Sequence, residues 1–124
     1  MGKISKVDIQ EIAENFRSIE ASRTAALEEK RHDALHEAFL IAEDFVRMDP
    51  AIRRILLFGS LARGEALTSE FDIDLAVESS PDVFLKLVSR ALNSSLKVDV
   101  IDLQTADRHI RESIENNCVV LYEK

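Results

Sequence analysis

Ile55–Glu78, ILLFGSLARGEALTSEFDIDLAVE, decides how this chain folds. An apolar run, Ile52–Phe58, reads as a buried strand and stops at Gly59-Ser60, residue types that turn a chain. A second run, Phe71–Val77, alternates. Side chains in a strand point to opposite faces in turn, so Asp72 and Asp74 face one way while Ile73, Leu75 and Val77 face the other. The strand rise places the two aspartate Cα atoms roughly 6.5–7 Å apart. Like charges held that close repel unless a cation lies between them or one is protonated. A hard divalent ion with oxygen ligands, Mg²⁺ above all, answers that repulsion.

Further along, the same alternation of short apolar runs and helical stretches continues. Pro81–Leu92 reads as a helix with proline near its first turn, Leu96–Asp102 as a third strand, Thr105–Glu115 as a helix, and Cys118–Tyr122 as a last strand. This is an α/β (α+β) plan, a small mixed sheet of about four strands flanked by helices. Towards the N-terminus, no Gly or Pro interrupts Ser5–Met48. Ile9, Ile12, Phe16 and Ile19 form one helical stripe. Continuing that heptad puts Arg23, Lys30 and Asp33 in the seam, which excludes a sustained coiled coil. A denser stripe through Leu27, Ala34, Leu35, Ala38, Phe39, Ala42, Phe45 and Val46 reads as a helix on the domain core, with a bend or loop expected at Glu20–Thr24. Met48-Asp49-Pro50 ends it, because the residue before proline is pushed out of the helical region. The expected division is a helical extension, residues 1–30, on a domain of residues 31–124.

With 124 residues, 46% hydrophobic and 31% charged, the composition is that of one ordinary globular domain. The net charge of −7 is spread along the chain: residues 1–50 carry 11 acids against 7 bases, and residues 51–124 carry 12 against 9. A general nucleic-acid surface needs clustered Lys and Arg and is not expected, whereas a small anionic ligand held with metal ions fits. The single Cys118 excludes an internal disulfide. No apolar run reaches the ~18–20 residues of a membrane span, so no membrane partner is expected and the cytoplasm is the default location.

Asp99, in Lys97-Val98-Asp99-Val100-Ile101-Asp102, adds a third acid inside a strand, where it can stand beside Asp72 and Asp74 on a neighbouring strand. Three carboxylates suit a two-metal site that activates an attacking oxygen and stabilises a leaving one. Gly59-Ser60 can aim backbone N–H groups and a hydroxyl at a phosphate, and Arg63 one turn later adds a fork of charged donors. Asp102, at the strand end, is expected to face solvent or cap the next helix.

Taken in order, GSLARGE, FDIDLAV and KVDVIDL resemble the minimal nucleotidyltransferases of the DNA polymerase β-like superfamily. The resemblance spans about residues 35–124, including the ending IRESIENNCVVLYEK. It implies a palm-like nucleotidyltransferase fold. It also implies that Gly59, Ser60 and Arg63 hold the triphosphate of a nucleotide, ATP before others, and that Asp72, Asp74 and Asp99 bind Mg²⁺, as two ions. The implied reaction transfers a nucleoside monophosphate to a hydroxyl and releases pyrophosphate. Stand-alone minimal members resemble the antitoxin halves of toxin-antitoxin pairs, whose partner is a small all-helical HEPN toxin modified on a tyrosine. Larger relatives carry an additional acceptor-binding domain; here the acceptor is expected to be a separate protein. The stripe Ile9–Ile19 suits such a partner, a second copy in a homo-oligomer, or the chain's own domain. Two departures stand out: residues 61–71 form a loop one residue longer than the family's usual one, and Phe71 stands where serine often precedes the first aspartate.

Other readings fit less well. Gly59–Gly64 matches the start of a P-loop, but Glu65-Ala66 stand where Lys-Ser/Thr is required. In haloacid dehalogenase-like phosphatases the aspartate pair ends an apolar strand, whereas here Leu75-Ala76-Val77 follows it. His32 and His36 lack a third ligand nearby and read as a solvated helix face; His109 reads as a helix-surface residue and Cys118 as packing. A binding module that neutralises a partner by contact, its acids unused, is the alternative to an enzyme.

Overall fold

Between Ser5 and Met48 the chain has no helix breaker, and alanines at 21, 25 and 26 favour the helical state where the apolar stripe is thinnest. A computed structural model, which describes residues 6–64 and 71–124, accordingly shows one helix, α1 (Lys6–Met48). No bend interrupts it at Glu20–Thr24, and it runs through residues 30 and 31 without a break. The side chains of Ile9, Ile12 and Phe16 lie outside the described ones; Ile19 is exposed. His32 and His36 are exposed as well.

After Pro50 come β1 (Arg54–Phe58), α2 (Gly59–Arg63), β2 (Ile73–Glu78), α3 (Phe84–Leu92), β3 (Val98–Asp102), α4 (Arg108–Asn116) and β4 (Val119–Glu123). The sheet order is β3-β2-β1-β4. β1 pairs antiparallel with β2 and β4, while β2 and β3, joined through α3, are parallel. The sheet is therefore mixed and four-stranded, with each element within a few residues of its expected place. The largest shifts are at the starts of α3, where Pro81–Val83 form a turn before the helix begins, and of α4, which begins at Arg108 rather than Thr105.

Alternation along the strands divides the core in two. Ile55, Leu57, Ile73, Leu75, Val77 and Val98 face α1 and α3, against Ala34, Ala38, Ile41, Ala42, Phe45, Leu87 and Ala91. The small alanines let α1 approach the sheet closely, with Ile41 and Phe45 filling the space between them. Phe39, expected on this stripe, is instead about half exposed. The opposite face carries Leu56, Ala76 and Leu103 and is covered by Ile114 of α4. Arg54 helps seat α4: its Nε donates to Glu78 at 3.0 Å and its Nη1 to Glu115 at 3.2 Å. Cys118, read as packing, just precedes β4 and is partly exposed, and Val119 and Val120 are exposed on an edge strand, so the last strand is half covered. No helix among the described residues is long and apolar enough to cross a membrane.

Asp49 ties the end of α1 to the end of β2. Its carboxylate is 2% exposed and accepts from Ser80 N at 2.8 Å, Ser80 Oγ at 3.0 Å and Ala51 N at 3.2 Å. Three donors lose their acceptor if it is removed. Asp49→Ala is expected to cost about 2–3 kcal/mol, read as a lower denaturant midpoint at unchanged slope. A loss below about 0.5 kcal/mol would show that the network is not structural.

Candidate functional site

Register brings the acids together. In the β1–β2 pair Phe58 lies opposite Asp74, and in the β2–β3 pair Asp74 lies opposite Asp99. Three adjacent strands therefore set Phe58, Asp74 and Asp99 in one row near the end of the sheet. Alternation puts that row on the face that α4 packs against, the face of Leu56, Ala76 and Ile101. Asp99 is exposed and Asp74 partly buried. Asp72, just before β2, is exposed, with Lys97 Nζ 3.6 Å from its Oδ2.

Gly59 follows Phe58 directly and has φ +79°, in the left-handed region that side chains disfavour. The Asp74 carboxylate lies against it, so that a Cβ at this position would collide with Asp74 Oδ2. Glycine is therefore required here by backbone angle and by space together. Ser60 sits in the first turn of α2, partly buried, and Arg63 is in its last turn. Gly64, at φ +72°, ends α2 and passes close to the Arg31 guanidinium of α1. Residues 65–70, most of the lengthened loop, lie outside the described residues.

The surroundings of Asp74 oppose its negative charge. Burial raises its pKa first, and the carboxylates of Asp99 and Asp72 raise it further, while Lys97 and Arg63 pull the other way. An acid destabilised as an anion in this manner is the kind of group a cation relieves. Among the described residues, no three His, Cys, Asp or Glu side chains form a ready metal cage. Mg²⁺ does not need one: it retains several waters and takes one or two carboxylates together with substrate phosphates. Asp74 with its two acidic neighbours fits that donor set.

All six residues expected to act together, Gly59, Ser60, Arg63, Asp72, Asp74 and Asp99, belong to this one region. Asp102 is placed as anticipated at its strand end, where its Oδ1 accepts from Gln104 N at 2.9 Å; Asp107 caps α4 instead, accepting from His109 N. Sequence reading gave no role to Lys97, although its parity with Asp99 along the strand was visible. Two clefts adjoin the acids. One, about 380 Å³, lies between Phe58-Gly59 and α4; the other, about 430 Å³, lies between Asp72, Lys97 and α1.

Gly59→Ala is expected to lower stability by at least about 1 kcal/mol and to displace Asp74; an unchanged denaturation midpoint would contradict the close approach. For Asp74 the linkage has a definite sign. A folded-state pKa above the unfolded value means that the native protein binds the extra proton, so stability falls as pH rises between the two values. In chelator, Asp74→Asn should therefore melt higher than the wild type at neutral pH, with the gap closing as pH falls through the Asp74 pKa. Melting curves across that range decide it, and a gap that is constant with pH would refute the linkage.

Comparison with known proteins agrees with this geometry. Residues 42–124 match the family model described as polymerase beta, nucleotidyltransferase. The fold is similar to that of a toxin-antitoxin solved with AMP-PNP (TM-score 0.57, 23% identity, 69% of this chain and 73% of the other). It is also similar to a candidate nucleotidyltransferase from Sulfolobus solfataricus (0.57, 22%, 80% and 88%) and to the toxin-antitoxin MntA-HepT (0.52, 20%, 72% and 73%). Among curated proteins none matches this chain. The chain belongs to the polymerase beta nucleotidyltransferase family.

Proposed function

We propose that this protein transfers AMP from ATP, with Mg²⁺, to a hydroxyl of a partner protein, a tyrosine of an all-helical HEPN toxin. The observation that carries the reading is the Asp74 carboxylate, lying against Gly59 and flanked by the charges of Asp72 and Asp99. Family membership supports nucleotidyl transfer as the class of reaction. The partner is suggested by similarity of fold to MntA-HepT.

In this reading the acceptor oxygen attacks the α-phosphorus, the bond from that phosphorus to the bridging oxygen breaks, and pyrophosphate leaves. Gly59 lets the triphosphate approach the backbone closely, Ser60 donates a hydroxyl, and Arg63 balances phosphate charge. Asp72, Asp74 and Asp99 would hold the metal; when bound, it supplies charge neutralisation on the phosphates and activation of the attacking oxygen. Asp99, on the exposed side of the row, orients the acceptor hydroxyl and receives its proton. Residues 31–124 act as the nucleotidyltransferase domain in the cytoplasm. The N-terminal part of α1, residues 6–30, serves as an extension that offers a surface to the partner or to a second copy.

Label transfer from α-labelled ATP to the co-purified partner in Mg²⁺ tests this. Asp72→Asn and Asp74→Asn should each reduce transfer by about 10²-fold or more. If wild type and variants inhibit the partner equally and no label moves, the protein acts by contact alone, as a non-catalytic antitoxin or binding module.

A further inference from the structure

The cleft between β1 and α4 meets the chemistry above only at Gly59 and Arg63, and the rest of its lining has no part in it. Its floor is apolar, formed by Phe58 and Ile101, with Ile110 on the wall. His109, Ser113 and Asn117 line it from α4 at successive four-residue steps, which sets them along one side of that helix. No carboxylate lines the cleft; Arg63 is the one permanent cation. It also reaches Gly59, the residue on which Asp74 rests.

We propose that this cleft holds the base and ribose of the donor nucleotide, with the α4 row His109, Ser113 and Asn117 reading their polar edges; this rests on the reading in the preceding subsection. A nucleoside is a flat apolar ring with a polar rim, and an apolar floor beside a row of hydrogen-bonding side chains is its complement. The volume, about 380 Å³, falls within the roughly 300–1,000 Å³ of small-molecule sites. Position agrees as well: the cleft meets the proposed phosphate-binding turn at Gly59, so a nucleotide with its phosphates there has its nucleoside directed along α4. Asn117 Nδ2 already donates to the Ser113 carbonyl at 3.1 Å, which leaves Oδ1 to accept from an amino group of the ligand. The second cleft is a poorer match, since Lys30, Asp33, Asp72 and Lys97 line it with charge.

Two ligands separate nucleoside binding from phosphate binding: a non-hydrolysable ATP analogue and inorganic tripolyphosphate, each titrated in Mg²⁺ against the full chain. Ser113→Trp, which fills the cleft from an exposed helix position, should weaken the analogue by about tenfold or more and leave tripolyphosphate unchanged. Asn117→Ala should weaken the analogue by about threefold or more, again without affecting tripolyphosphate. If circular dichroism shows that Ser113→Trp misfolds, Asn117→Ala decides by the same criterion. Unchanged analogue affinity, or equal weakening of both ligands, would overturn the assignment. A Ser113→Trp protein that binds the analogue normally yet no longer labels its partner would give the cleft to the acceptor, also overturning it. Wild-type protein that binds neither ligand would remove the transferase reading itself, whereas binding of both with no effect of the variants would remove only the nucleoside site.

Discussion

The contact between the Asp74 carboxylate and Gly59 is the constraint on which the rest of the site depends. It exists because antiparallel pairing sets Phe58 opposite Asp74, so the residue after the strand end must pass beneath the aspartate. A glycine there meets two demands, a positive φ and the absence of a Cβ. From this point α2 begins, carrying Ser60 and Arg63 outward from the same corner. One close approach thereby couples the Gly59-Ser60 turn to the carboxylate row.

The row is held at an electrostatic cost. Asp74 is partly buried with Asp99 opposite it on one side, and Asp72 adds a further negative charge. Lys97 and Arg63 offset only part of this repulsion. The scaffold tolerates it because strands β1 and β2 are anchored elsewhere, by the two apolar faces of the sheet and by the Asp49 and Arg54 networks at the other end. The anchoring networks and the repelling acids are thus placed at opposite ends of the same strands, a division expected where a site stores unfavourable charge.

Much of this was legible in the residues. Period-two alternation assigned Ile73, Leu75 and Val77 to one face and the aspartates to the other, and both the core and the acid row follow that assignment. The class of fold and the number of strands followed from the order of the runs. The bend expected at Glu20–Thr24 is absent: the apolar stripe thins there, but no Gly or Pro breaks the helix, and local propensity keeps α1 continuous. Phe39 was assigned to the buried stripe by spacing, yet Ile41 took the inward position, since only three or four residues per turn meet the sheet and the packed neighbours select which.

Sequence by itself determined the periodic elements, the breaks at Pro50 and Gly59, and the residue types able to hold phosphate and metal, because these depend on local geometry and side-chain chemistry. Tertiary structure alone decided the registers that set Asp74 between Phe58 and Asp99, the pairing of Lys97 with Asp72, and the line of His109, Ser113 and Asn117 beside the sheet. The physical reason is the same in each case: cross-strand register and helix docking are fixed by burial summed over the whole core, and no local window of the chain contains that sum.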